Sequence, residues 1–162
     1  EGDGAWLAPY TAPERWAETH AAIGRGRTWL DGKDLTLVTF GNGLYMSLRV
    51  AQRLQREHGL AARVLDLRWL SPLPVEDLLR EAQATGRVLV VDETRKSGSV
   101  SEGVCAALID HAFAGRIARV NSHDSFVPLG NAAFEVLLSE QTIFEAARQL
   151  VLGRELTAAK RG

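Results

Sequence analysis

Short apolar runs alternate along this chain with segments of helical periodicity. Leu35-Thr-Leu-Val-Thr-Phe40 is a β-prone run, broken by Gly41-Asn-Gly43. From Leu44 to His58 the period changes. Leu44, Ser47, Leu48, Val50, Ala51 and Leu54 share one face of a helical projection, and Arg49, Arg53 and Arg56 lie opposite as a solvated stripe. Gly59 stops this helix. Arg63–Leu67 reads as the next strand. Ser71-Pro72-Leu73-Pro74 then opens a helix to about Thr85, closed by Gly86. Arg87-Val-Leu-Val-Val-Asp92 is an unbroken apolar run of the kind buried on both faces of a parallel sheet. Thr94–Ser99 is expected to be a polar loop, with Ser97 or Ser99 capping the helix that follows. Val100, Val104, Ala107 and Leu108 mark that helix, to about Phe113. Arg116–Asn121 forms another strand, followed by a loop with Asp124 and Pro128. Ser139 caps a last helix whose core face is Ile143, Ala147, Leu150 and Val151. Upstream, Gly24–Leu30 makes a short edge strand, turned by Asp31-Gly32-Lys33-Asp34.

Strand–helix alternation with short glycine-containing links predicts an α/β domain. It should be a three-layer α/β/α arrangement around a mainly parallel sheet, with right-handed crossovers. Three regions follow. Residues 1–23 are a lead-in or linker from an upstream domain, with Trp6, Tyr10 and Trp16 set among Gly2, Gly4, Pro9 and Pro13. Residues 24–153 are the domain, and 154–162 a frayed tail. The chain opens on Glu1 rather than Met and has no signal-peptide pattern, so a domain cut from a longer protein is expected.

Composition narrows the classes. The 162 residues are 46% apolar and 24% charged, enough for one globular core. A net charge of −1 argues against a general nucleic-acid binder. No run approaches the ~18 to 20 apolar residues of a membrane span. Cys105 is the single cysteine, which excludes an internal disulfide and fits a reducing compartment such as the cytoplasm.

Candidate chemistry is sparse. Gly41-Asn42-Gly43 sits where a dinucleotide fingerprint would begin, with Asp66 about the right distance on. The third glycine position, however, holds Met46. Gly2-Asp3-Gly4 matches the start of a thiamine diphosphate motif but lacks its Asn. Ser99 and Ser101, with His111, His123 and Asp124 downstream, lack the Gly-x-Ser-x-Gly elbow of a hydrolase. His20, His58, His111 and His123 stand too far apart for a metal site. The one tentative site is an anion-binding loop, Arg95-Lys96-Ser97-Gly98-Ser99, at a helix N-terminus. Phe126, Leu129 and Phe134 lie in a stretch with little regular structure. They form either a subunit interface or a cluster beneath their own loop.

From about residue 24 to 152 the chain resembles one family. Asp34-Leu-Thr-Leu-Val-Thr-Phe-Gly41 looks like the start of the transketolase C-terminal domain. Val64-Leu-Asp66-Leu-Arg68-Trp-Leu-Ser71-Pro72-Leu73 is similar to a segment of the beta subunits of 2-oxoacid dehydrogenase first components. Gly86-Arg-Val-Leu-Val-Val-Asp-Glu93, Lys96-Ser-Gly98 and Asp124-Ser-Phe126-Val-Pro128-Leu-Gly130 resemble later segments of the same subunits. Two of the family's glycines are Ser99 and Ser101 here. The stretch Ala112-Phe-Ala-Gly115 lacks an acidic residue linked in some beta subunits to docking the acyltransferase core. The resemblance implies a structural and dimer-assembly domain of a thiamine diphosphate-dependent 2-oxoacid dehydrogenase, pyruvate or branched-chain type. It implies no catalytic residue, cofactor or metal in this chain. Thiamine diphosphate and Mg²⁺ belong to the other domains of the parent enzyme or to a partner subunit. The implied partners are those domains, a second copy of this chain and the acyltransferase core. The alternatives are the same domain of a transketolase or deoxyxylulose-phosphate synthase, or a free-standing nucleotide- or anion-binding module.

Overall fold

Each apolar run pairs into one five-stranded sheet in a computed structural model that describes residues 12–153. The Gly2-Asp3-Gly4 segment, Trp6, Tyr10 and the 154–162 tail lie outside the described residues. The elements, in order, begin with a single 3-10 turn (Pro13–Arg15) and α1 (Trp16–Thr19). There follow β1 (Arg27–Leu30), β2 (Leu35–Thr39), α2 (Gly43–His58), β3 (Ala62–Asp66), α3 (Val75–Thr85) and β4 (Arg87–Arg95). The chain continues through α4 (Val100–Asp110), β5 (Arg116–Ser122), a 3-10 helix (Gly130–Glu135) and α5 (Glu140–Leu152). The strand order is β1-β3-β2-β4-β5, and only the edge strand β1 runs antiparallel.

The alternation of side chains along the strands divides the core between the two faces. Leu35, Leu37, Val64, Leu89 and Val91 pack with α2 and α5 on one side. Val38, Leu65, Leu67, Val88 and Val90 pack with α3 and α4 on the other. All five residues of β2 are buried, as a central parallel strand requires. Its one polar residue facing α3, Thr36, gives its hydroxyl to the Glu81 carbonyl at 2.8 Å and meets Thr85 Oγ1 at 2.9 Å. The six positions predicted for the core face of α2 are all buried. Burying one leucine such as Leu48 stabilises by about 1.5–3 kcal/mol.

Helix ends follow the punctuation read from sequence. Gly59 and Gly86 terminate α2 and α3 in the left-handed conformation, and Ser139 Oγ accepts the Thr142 amide to cap α5; Gly153, not marked in the sequence, ends α5 in the same way. The edge strand begins at Arg27 rather than Gly24, whose φ of 72° is not extended, and further details differ. The strand β4 continues through Thr94 and Arg95 instead of ending at Asp92, because β5 pairs with it across a bulge up to Arg95–Ser122. The helix α4 stops at Asp110, where Ala112 takes φ 53° and Phe113 N bonds back to Leu108 O. A 3-10 helix forms at Gly130–Glu135, in the stretch expected to be loop. Of the α2 arginines only Arg56, 71% exposed and paired with Glu57 of its own helix, is solvated as expected; Arg49 and Arg53 are not. Arg49 donates to Glu140 at 2.7 Å and Arg53 to Gln141 at 2.7 Å, and the Arg53 guanidinium stacks 3.8 Å over Phe144. They bind α2 to α5.

Candidate functional site

In an open parallel sheet, ligands settle beyond the carboxyl ends of the strands, where the strand order reverses. Here that point lies between β2 and β4. The glycine turn there is already engaged by the protein's own groups. An added Cβ on Gly43 would lie 2.4 Å from Thr39 Oγ1, so the first turn of α2 presses directly on β2. Glu93 Oε1 accepts the Asn42 amide at 3.2 Å, placing a carboxylate where a phosphate would otherwise meet the α2 N-terminus. Met46 is buried beside this turn, and Asp66 accepts the Arg68 amide at 3.1 Å. Burial pushes the Asp66 carboxyl above the usual range, against the lowering effect of that amide and of the Arg68 charge. The glycine turn is a close-packed strand-to-helix junction.

The loop after β4 is organised by carboxylates. Asp92, fully buried, accepts Thr94 N at 2.9 Å, Thr94 Oγ1 at 2.7 Å and Ser101 N at 2.9 Å. Burial alone would raise its pKa. The hydrogen bonds from Thr94 and Ser101 outweigh burial and hold the carboxyl below the usual aspartate range. The cap of α4 therefore comes from Asp92, nine residues upstream of Ser101. Ser99 occupies the N-cap position but makes no side-chain cap bond. Its hydroxyl meets Ser101 Oγ at 2.7 Å, and Asn121 and Arg119 donate to Ser101 Oγ at 3.0 and 3.2 Å. These serines pair with each other and with β5, not with a histidine base. His111 Nδ1 lies 2.9 Å from its own helix's Ala107 carbonyl.

The five residues of the anion-binding expectation are together at this corner. Ser97 donates its amide to Asp124 Oδ1 at 2.8 Å and its hydroxyl to Asp124 Oδ2 at 2.6 Å. Gly98 N donates to Glu102 Oε2 at 3.2 Å. Arg95 Nε donates to the Ser97 carbonyl, and Arg119 to the Lys96 carbonyl at 2.9 Å. Two amides that a bound anion would use are thus already taken by carboxylates, which an incoming anion would have to displace. Hydrogen bonds from the Ser97 hydroxyl and amide hold the Asp124 carboxyl below the usual range.

Beside this clasp the surface turns apolar. Arg95, Ser97, Gly98, Asp124, Ser125 and Phe126 line a shallow depression of about 780 Å³. Phe126 and Leu129 are each 96% exposed and Phe134 75%, so these side chains do not pack beneath their own loop. Val127 and Leu137 are exposed as well. Sequence reasoning marked the three residues from their lack of regular structure. It missed Asp92 and Glu93 as organisers because each looked like the polar end of a strand. Among the described residues no group of three or more histidine, cysteine or acidic side chains could hold a metal, and no helix is long and apolar enough to cross a membrane.

Four helices of three or more turns on the two faces of a five-stranded, mainly parallel sheet define an α/β class of domain. The chain is a member of the transketolase C-terminal domain family, which it matches over residues 24–147. It is 30% identical to the pyruvate dehydrogenase E1 component subunit beta of Bacillus subtilis (strain 168), over 80% of this chain and 40% of that one. It is 37% identical to the 2-oxoisovalerate dehydrogenase subunit beta of the same organism, over 55% of this chain and 27% of that one. Its fold is similar to that of a split-gene transketolase solved as an inactive beta4 tetramer (TM-score 0.71, 28% identity, 80% of this chain and 42% of the other). The transketolase from Leishmania mexicana shares the fold at 18% identity and a TM-score of 0.53, over 83% of this chain and 19% of that one. The chain spans about two fifths of the length of the curated pyruvate dehydrogenase relatives it matches.

Proposed function

We propose that this chain is the C-terminal structural and dimer-assembly domain of the first component of a thiamine diphosphate-dependent 2-oxoacid dehydrogenase, of the pyruvate or branched-chain type, working in the cytoplasm. In this reading the parent enzyme decarboxylates a 2-oxoacid and passes the acyl group to lipoamide. Thiamine diphosphate and Mg²⁺ are held by other domains or a partner subunit, and the cofactor supplies the chemistry. The residues of this chain bind other protein surfaces and perform no chemical step. Similarity to two kinds of dehydrogenase beta subunit favours this parent over a transketolase or deoxyxylulose-phosphate synthase. The Glu93 carboxylate on the Asn42 amide, at the start of α2, disfavours a free-standing nucleotide module.

One observation carries the assembly role. Phe126, Val127, Leu129 and Phe134 stand exposed in one segment, an apolar surface of the kind that partners cover. Two-fold dimers are the commonest homo-oligomers, and a related split-gene transketolase was solved as a beta4 tetramer. The test is light scattering across a concentration series. The chain should self-associate at micromolar to hundred-micromolar concentration. Phe126→Ala and Phe134→Ala should lower the association while leaving the urea midpoint unchanged, since exposed side chains contribute little to folding. A strictly monomeric mass up to several hundred micromolar, or a loss of stability of about 3 kcal/mol in either variant, would overturn the assignment of this surface.

A further inference from the structure

The one antiparallel strand, β1, sits at the sheet edge, and its lead-in is pinned by a carboxylate on α3. Asp77, 1% exposed, accepts the Gly26 amide at 2.9 Å on one oxygen. On the other it meets the Arg25 guanidinium at 2.8 Å and the Arg80 guanidinium at 2.5 Å. The backbone arrives there by a tight path. A Cβ on Gly26 would lie 3.0 Å from Leu65 Cδ1 and 3.1 Å from the Asp66 carbonyl, and Gly24 takes φ 72° with Pro72 Cγ at 3.4 Å from its Cβ position. Glycine is the residue that accepts both constraints. The other charged groups around Asp77 are accounted for. Glu76 is 90% exposed and reaches Arg25 at 3.3 Å, while Glu81 pairs with Arg80 and Arg63.

We propose that Asp77 is a fastener that fixes residues 24–27 to α3, and so fixes the direction from which the preceding chain reaches the domain. The sheet β2–β5 keeps its fold when the fastener opens. Burial opposes the charge on Asp77, but the bonds from Arg80 and Gly26 and the charges of Arg80 and Arg25 prevail and hold the carboxyl below the usual range. The fastener is therefore closed at neutral pH. The contacts of Asp77 hold whether or not the chain self-associates through its exposed apolar residues.

Trypsin reads it directly, because the Arg25–Gly26 bond is a trypsin site. In the unaltered chain that bond should resist cleavage. Its Gly26 amide should exchange with deuterium at least about tenfold more slowly than an unstructured amide. Asp77→Asn should accelerate cleavage after Arg25 about tenfold or more, with Arg63 and Arg87, inside the sheet, still protected. Glu76→Gln should change the rate by less than about twofold, as expected of an exposed pair. The fastener is refuted if cleavage after Arg25 is unchanged in Asp77→Asn. It is equally refuted if cuts at Arg63 and Arg87 rise in step, if Glu76→Gln has the same effect, or if Gly26 exchanges at the unstructured rate.

Discussion

Replacing Asp92 by asparagine tests whether a buried carboxylate builds the strand-end corner. The charged form accepts three hydrogen bonds, two from Thr94 and one from Ser101. Each bond to a charged acceptor contributes about 1.5–3 kcal/mol net. Asparagine keeps one acceptor oxygen, which can still serve the two Thr94 donors. Its amide nitrogen then faces the Ser101 N–H, donor against donor, at the first turn of α4. Losing one charged bond outright and weakening two gives an expected cost of about 2–4 kcal/mol. The carboxyl is fully buried, so solvent does not screen this loss. The assay is urea unfolding at neutral pH, followed by tryptophan fluorescence from Trp29 and Trp69. A pH series checks the cause. The folded-state pKa is depressed, so the stabilisation is fully present above the unfolded value near pH 4 and is lost as pH falls through the folded value. The gap between unaltered chain and variant should stay constant from about pH 7 to 5 and shrink below about pH 4. A variant within about 0.5 kcal/mol of the unaltered chain at pH 7, or a gap that persists unchanged to about pH 2.5, refutes the assignment.

Gly43→Ala drives a Cβ to 2.4 Å from the buried Thr39 Oγ1 and should destabilise by about 1–3 kcal/mol, measured by the same urea titration; an unchanged midpoint refutes the close approach of α2 to β2. Calorimetric titration of the chain with thiamine diphosphate and Mg²⁺ should give no heat of binding; stoichiometric micromolar binding overturns its reading as a scaffold domain. If Arg95–Ser99 holds anions, phosphate competes with Asp124, so Asp124→Asn should enlarge the phosphate-induced amide shifts at Ser97 and Gly98. Traces that stay flat in both proteins to tens of millimolar remove that site.

Periodicity alone placed the core. The apolar runs at Leu35–Phe40 and Arg87–Asp92 became buried central strands, and the six-residue face of α2 was buried in full. Both are local consequences of side-chain geometry, because a strand repeats every two residues and a helix every 3.6. Gly59, Gly86 and Ser139 were equally legible, since a left-handed cap and a side-chain cap each depend on one residue and its immediate neighbours. What no local pattern determined is which partner each polar group finds. Arg49 and Arg53 read as solvated until α5, some ninety positions on, brought Glu140, Gln141 and Phe144 beneath them. Ser97 read as a helix cap or an anion-binding residue until the loop after β5 delivered Asp124. Asp92 and Glu93 read as the polar end of a strand, yet one caps α4 and the other fills the start of α2. The clustering of Phe126, Leu129 and Phe134 was visible in sequence, but their exposure was not, because burial depends on what lies across a loop and hydrophobicity does not specify it. Local backbone preference and side-chain period are properties of a few consecutive residues. Charge pairing, capping at a distance and surface exposure are properties of the packed chain, and only the tertiary structure sets them.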